Sequence, residues 1–217
     1  MPFSSFDPQA ELHVHRENLP HWRQRGTTYF VTARLADSLP QKVLEGWTNR
    51  RNAWLAGHGA SSADAIGSLS EELRQEFNRK FTAEFHRLLD SGQGTCVLAN
   101  DACSKILARR FFEGHGSAYL LDAWCIMPNH FHALVEPLGK TNLGEIVRHW
   151  KGGSAFDINH LVGRTGQLWQ QETFDHIVRN PMQLEHFRKY IEDNPKKARL
   201  TRGFIVGMAA RQSSPGL

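Results

Sequence analysis

The sequence predicts an α+β fold built on an antiparallel β-sheet with helices on one face. Two observations indicate this class. Short runs rich in β-branched and aromatic residues alternate with longer segments of helical periodicity. These segments follow one another as strand, helix, strand, strand, helix, strand, which is the element order of the ferredoxin-like fold.

Four strands are expected from residue type and alternation. Residues 28–35 and 173–178 are rich in aromatic and β-branched residues. Residues 119–127 and 131–136 form two further strand-like runs. Between them, Pro128-Asn129 is interpreted as a turn or bulge, because proline cannot donate to a sheet ladder.

Helical periodicity predicts helices at 40–55, 102–112, 141–156 and 181–193. A further helix is predicted to begin at the capping box 68–71 and to end near Gly92. Its apolar residues are spaced by four and three and predict one stripe: Leu73, Phe77, Phe81, Phe85 and Leu88. Proline at the first turn suits the last helix, and Asn194-Pro195 are expected to end it.

Length predicts a single domain over residues 1–217, with a core at about 18–200. The helix-rich segment 41–94 is longer than the minimal fold needs, so it is interpreted as an insertion. The tail at 202–217 is rich in Gly and Ser and weakly patterned.

Composition narrows the class of partner and compartment. The chain has 26 Lys and Arg against 22 Asp and Glu, a net charge of +4, which permits an anionic partner. Its three cysteines include no C-x-x-C pair, so neither a disulfide framework nor a zinc ribbon is expected. The sequence lacks an apolar run long enough for a membrane span and a signal-peptide core, and we therefore expect a soluble, cytoplasmic protein.

An H-x-H motif, His130-Phe131-His132, stands at the start of the predicted strand 131–136. Because alternate residues of a strand share a face, His130 and His132 are expected to stand side by side, as suits two ligands of one divalent ion. Two structural histidines fit the spacing equally well, and His13-Val14-His15 repeats it in a polar segment. The motifs of zincins, zinc deaminases, P-loop proteins and dinucleotide-binding proteins are missing, which disfavours a metal-dependent hydrolase unrelated to DNA.

Only three tyrosines are present. Tyr29 and Tyr119 lie in predicted strands and are interpreted as sheet residues. Tyr190 falls at the edge of the apolar stripe of the last helix, with His186 and Asn194 on the same side at spacings of four. This geometry is compatible with a half-exposed functional side chain, but by geometry alone a packing role is favoured.

The sequence resembles the REP-associated tyrosine transposases, a branch of the single-tyrosine HUH transposases. The resemblance runs in the family's order over residues 18–22, 28–40, 123–137, 150–154, 166–179 and 190–198. The insertion at 41–94 and a tail without a Trp-rich ending depart from the family's pattern, and Phe174, where relatives often carry another aromatic residue, is interpreted as core.

The resemblance implies one HUH transposase-like domain and a catalytic C-terminal helix. Tyr190 would be the nucleophile that forms a 5′-phosphotyrosine intermediate with single-stranded DNA. His130 and His132 would bind Mg²⁺ or Mn²⁺, with Asn194 as a further ligand. The expected partner is a repetitive extragenic palindrome that folds into a hairpin, bound by a monomer or homodimer associated with the nucleoid. The alternative is a domesticated hairpin-binding protein that no longer cleaves.

Basic and aromatic side chains near these residues are the expected DNA contacts, because cations bind phosphates and indoles stack on bases. The candidates are Arg23, Arg25, Arg148, Trp150, Lys151, Lys196, Lys197 and Arg199. Solvated charges beside buried tryptophans explain any single one of them as well.

Overall fold

The computed structural model describes residues 13–16, 20–24, 26–60 and 69–208, and the side chains before residue 24 lie outside the described part. The capping serine at 68 and most of the tail are therefore outside it too. Within the described ranges, none of the helices has the length and apolar character to cross a membrane.

Seven strands are described. β1 (His13–Arg16) and β2 (Pro20–Arg23) form a separate antiparallel hairpin. The main sheet consists of β3 (Tyr29–Arg34), β4 (Tyr119–Ile126), β5 (His130–Pro137), β6 (Phe174–Ile177) and β7 (Ile205–Met208). Its order is β6-β3-β5-β4-β7, and every neighbouring pair is antiparallel. The first four of these strands confirm the predicted ferredoxin-like arrangement.

The helices follow the predicted order with shifted ends. They are α1 (Gln41–Gly57), α2 (Glu71–Phe77), α3 (Ala83–Asp90), α4 (Asp101–Phe112), α5 (Leu143–Leu161) and α6 (Pro181–Lys197). A π-helical turn, Asn78–Thr82, joins α2 to α3, and a short 3₁₀ turn, Val97–Ala99, precedes α4.

The sheet has an apolar core on each face. On one face, α4 and α5 pack against alternate residues of the three central strands, as predicted. On the other face lie α6 and α3, and there Phe30 of β3 contacts Tyr190 and His86. The face that carries α6 and α3 also holds both histidines of the H-x-H motif, so the candidate site is built there.

Three sequence expectations are corrected. The predicted helix after residue 68 is interrupted by the π-helical turn. α6 does not stop before Pro195 but runs to Lys197, because a proline in the last turn costs only one helical hydrogen bond. The tail contributes β7, where Gly207 lets Trp124 lie against the backbone, since a Cβ there would fall 2.3 Å from the indole.

Trp150 is a core residue and not a DNA contact. Its side chain is fully buried beneath the sheet against Phe111 and Phe131, and its indole N–H donates to the Tyr119 hydroxyl at 2.9 Å. The sequence expectation was wrong here because an aromatic residue beside basic ones on a helix has the same pattern whether the ring faces the core or solvent.

We expect Trp150→Ala to lower the free energy of unfolding by about 3–5 kcal/mol, because it removes a large buried ring and leaves a cavity. Urea denaturation followed by circular dichroism measures the change. Phe156→Ala on the same helix is the control, and since that ring is 75% exposed, its effect should stay within about 0.5 kcal/mol.

Candidate functional site

The two histidines of β5 lie on one face of the sheet, and each ring is held through Nδ1. Thr32, which pairs with His132 across the ladder, places Oγ1 2.7 Å from Nδ1 of His132. Nδ1 of His130 lies 2.7 Å from Oδ1 of Asn129. An amide oxygen only accepts, so this Nδ1 donates and Nε2 keeps its lone pair. Within the described part of the chain, neither buried Nε2 atom has a hydrogen-bond partner.

Asn129 connects this strand to α3. Its Nδ2 donates to the carbonyl oxygens of Leu89 and Gln93, at 3.2 and 3.0 Å, while its Oδ1 receives the hydrogen bond from His130. The side chain is 1% exposed. One amide thus fixes the end of α3 and the orientation of the His130 ring together.

Asp90, the last residue of α3, is a site residue that the sequence reasoning missed. The predicted stripe continued through Phe85 and Leu88, but the structure buries His86 and Leu89. The π-helical turn explains the difference, because it inserts an extra residue and rotates the following helix by about one position. The available clue was a His and an Asp four residues apart on an otherwise apolar helix face.

Asp90 completes a cluster suited to a divalent cation. Its Oδ1 lies 3.6 Å from Nε2 of His130, and the ligand atoms of Asp90, His130 and His132 all lie within 4.8 Å of one another. Burial lowers the pKa of His130 to about 3 and the pKa of His132 well below its usual value, so both rings are neutral. Neutral imidazoles and a carboxylate fit Mn²⁺ or a similar ion.

α6 brings Tyr190 to the same place. The helix is tied to β4 by Arg188, whose Nε and Nη2 donate to the two carboxylate oxygens of Asp122 at 2.8 and 3.0 Å. The Tyr190 ring lies 5.2 Å from the His132 ring, centroid to centroid. The structure therefore brings Tyr190 together with His130 and His132, which precede it by 60 and 58 residues in the sequence.

The Tyr190 hydroxyl is buried and has no hydrogen-bond partner among the described residues. Burial, followed by the negative charge of Asp90, raises the pKa of this hydroxyl above its usual value. The hydroxyl is therefore protonated near neutral pH, and these surroundings alone do not make it a nucleophile.

Asn194 stands one helical turn beyond Tyr190 and is fully buried. Its Nδ2 donates to Oδ1 of Asp90 at 3.4 Å, while its own Oδ1 has no partner within the described residues. Asn194 therefore lies against Asp90, which forms a cluster with His130 and His132.

A cavity of about 820 Å³ opens beside Tyr190. Its walls are aromatic, with Phe30, Phe174 and Phe187, and its rim carries Arg87, Lys197 and Arg199. Phe174, expected in the core, is only half-buried and forms part of this wall. The cavity is large enough for a nucleotide, and its composition suits a base among rings and a phosphate among cations.

The predicted DNA contacts divide into three groups. Lys197 and Arg199 line the cavity, and Nζ of Lys197 lies 5.0 Å from the centre of the Tyr190 ring, with Lys196 exposed beside them. Arg148 and Lys151 belong to α5 on the opposite face of the sheet, where Lys151 donates to the carbonyl of Gln171. The side chains of Arg23 and Arg25 lie outside the described residues.

Comparison with known families locates the similarity in the second half of the chain. Residues 108–194 match the family model described as "Transposase IS200 like". The resemblance to single-tyrosine transposases is confirmed for this segment. The segment contains His130, His132, Tyr190 and Asn194, but it is less than half of the chain and leaves out Asp90.

Two of the proteins to which this chain is similar differ in how much of the chain they cover. One is an uncharacterized protein of Haemophilus influenzae, 27% identical over 35% of this chain and 53% of its own length, so the chain spans about half of that relative. The other is a solved structure of a REP-associated tyrosine transposase bound to a REP hairpin. It is 17% identical, with a TM-score of 0.41, over 82% of this chain and 71% of its own.

We expect Asn129→Ala to destabilise the fold by at least about 2 kcal/mol, because two buried carbonyls and the Nδ1–H of His130 lose their partners together. Urea denaturation measures this loss. Asn52→Ala, an exposed asparagine on α1, is the matched control and should change stability by no more than about 0.5 kcal/mol. Equal effects from the two variants would contradict the linking role of Asn129.

Proposed function

We propose that this protein is a metal-dependent transposase that nicks and joins single-stranded DNA through a covalent tyrosine intermediate. One observation carries the proposal: the Tyr190 hydroxyl and the free Nε2 atoms of His130 and His132 occupy one buried site. A tyrosine that only packs has no need of two adjacent imidazoles whose buried Nε2 atoms lack a hydrogen-bond partner among the described residues. The match of residues 108–194 to IS200-like transposases supports the same conclusion.

The donor set fits Mg²⁺ or Mn²⁺. The Nε2 atoms of His130 and His132 would hold the ion, and Oδ1 of Asn194, which has no hydrogen-bond partner among the described residues, would be a further ligand. Such an ion supplies charge neutralisation at a phosphate oxygen and geometric alignment of the phosphate. Mn²⁺ accepts nitrogen ligands more readily than Mg²⁺ does, so it is the ion of choice for assays.

The reaction follows from the position of Tyr190. Its hydroxyl oxygen attacks the phosphorus of a phosphodiester, so that the Oη–P bond forms and the P–O3′ bond breaks. The tyrosine loses one proton and the departing 3′ oxygen gains one, which leaves a 5′-phosphotyrosine and a free 3′-hydroxyl. Because the phosphodiester energy is conserved in the covalent link, the strand can be rejoined elsewhere without hydrolysis.

The substrate would lie along the cavity rim beside Tyr190. Lys197 and Arg199 would hold the backbone phosphates, with the exposed Lys196 beside them. Arg199 stands just past the end of α6 with a φ of 55°, the left-handed conformation that commonly ends a helix.

A labelled single-stranded hairpin incubated with protein and Mn²⁺ should give a covalent adduct that survives denaturing electrophoresis. We expect Tyr190→Phe to abolish the adduct, because the attacking oxygen is gone. Tyr29→Phe is the control, since the Tyr29 hydroxyl bonds the Gln24 backbone away from the site, and its adduct should persist. Hairpin binding without any wild-type adduct would favour the non-cleaving alternative.

Salt dependence of hairpin binding tests the proposed path of the strand. Removing a phosphate contact should lower the slope of log affinity against log salt by about 0.7 for each charge, as for single strands generally. We therefore expect a shallower slope for Lys197→Ala and for Arg199→Ala. Arg148→Ala, an exposed cation on the opposite face, should leave the slope unchanged, and an equal reduction there would place the strand elsewhere.

A further inference from the structure

We propose that Asp90 is a further protein ligand of the metal ion and that the side-chain amide of Asn194 holds the Asp90 carboxylate in place. The inference deepens the proposed function, because it assigns a ligand to the same site. It also gives the segment 41–94 a role, since α3 lies within it and outside the residues that match the transposase family.

The first argument is the geometry of the donors. Oδ1 of Asp90 lies 3.6 Å from Nε2 of His130, and the three ligand atoms fit within a span of 4.8 Å. Both Nε2 atoms are buried without a hydrogen-bond partner among the described residues. A single ion between the three groups would give both Nε2 atoms and the half-buried Asp90 carboxylate a common partner.

The second argument is the chemistry of the two oxygen donors. A carboxylate carries a charge and binds a hard divalent cation more strongly than a neutral amide oxygen does. Asn194 directs its Nδ2 at Oδ1 of Asp90, 3.4 Å away. Ligating carboxylates are themselves held by hydrogen bonds of this kind, which fix the orientation of the ligand.

The third argument is the way in which α3 is held. Asp90 ends this helix, where the helix dipole is negative and favours a nearby cation. The carbonyls of Leu89 and Gln93, on either side of Asp90, are both bound to Asn129. Since the same amide orients His130, the Asp90 and His130 ligands are placed by one shared contact.

A ligand exchange tests Asp90 directly. Asp90→Cys and, as the control, Glu84→Cys are each loaded with Co²⁺, which gives a thiolate-to-metal charge-transfer absorption only when the new sulfur is bound to the ion. We expect the absorption to rise above the wild-type spectrum in Asp90→Cys and not in Glu84→Cys, because Glu84 pairs with Arg50 away from the cluster. No increase in folded Asp90→Cys, or an equal increase in Glu84→Cys, overturns the assignment.

Titration calorimetry with Mn²⁺ alone supplies a second readout that needs no DNA. Asp90→Asn keeps the shape of the side chain and removes its charge, so we expect at least about a 10-fold loss of Mn²⁺ affinity. Glu84→Gln on the same helix is the matched control, because Glu84 pairs with Arg50 away from the cluster. Unchanged affinity in Asp90→Asn, with circular dichroism showing a folded protein, overturns the proposal.

The adduct assay separates this inference from the proposed function. If Asp90 binds Mn²⁺ but wild-type protein forms no DNA adduct, the ligand assignment holds and the transposase proposal fails. If Asp90→Asn forms the adduct with the wild-type dependence on Mn²⁺ concentration, the ligand assignment fails and the transposase proposal holds.

Discussion

The arrangement of the site depends on the side-chain amide of Asn129. This group joins two parts of the chain that are 40 residues apart, because it donates to the end of α3 and accepts from the first histidine of β5. Without it, α3 would rest on the sheet mainly through ring contacts, such as those of His86 with Phe30 and His132, which fix orientation less closely than a hydrogen bond does. A polar contact buried at 1% exposure imposes a direction as well, so Asp90 and His130 face each other.

Much of the sheet could be predicted from the sequence, because alternation within a strand is a strictly local property. The register that puts His130 and His132 on one face needs only the period of two. The position of α3 could not be predicted in this way, since the π-helical turn changes the helix period in the middle of a segment. An apolar stripe read at constant period assigns Phe85 where the structure places His86.

The local character of sequence patterns also explains why Trp150 was wrongly expected to contact DNA. Trp150 and Arg148 belong to one helix, and residue type alone does not tell which of the two faces the core. Packing decides, because the indole of Trp150 fills the space between Phe111 and Phe131. Tyr190 was identifiable for a different reason, since its chemistry and the resemblance to a family agreed on the one tyrosine outside a predicted strand.

The buried polar atoms without hydrogen-bond partners at this site are an argument for a bound ligand, because each of them lowers the stability of the fold. Among the described residues, nine buried side-chain atoms lack a hydrogen-bond partner, and five of them belong to His86, His130, His132, Tyr190 and Asn194. Each such atom costs about 1–3 kcal/mol, which is large against a total stability of about 5–15 kcal/mol. Packing alone gives no reason for such atoms to gather around one point. A bound cation and a phosphate oxygen would supply the missing partners, so the cluster is better explained as a site shaped for substrate and metal than as part of a structural core.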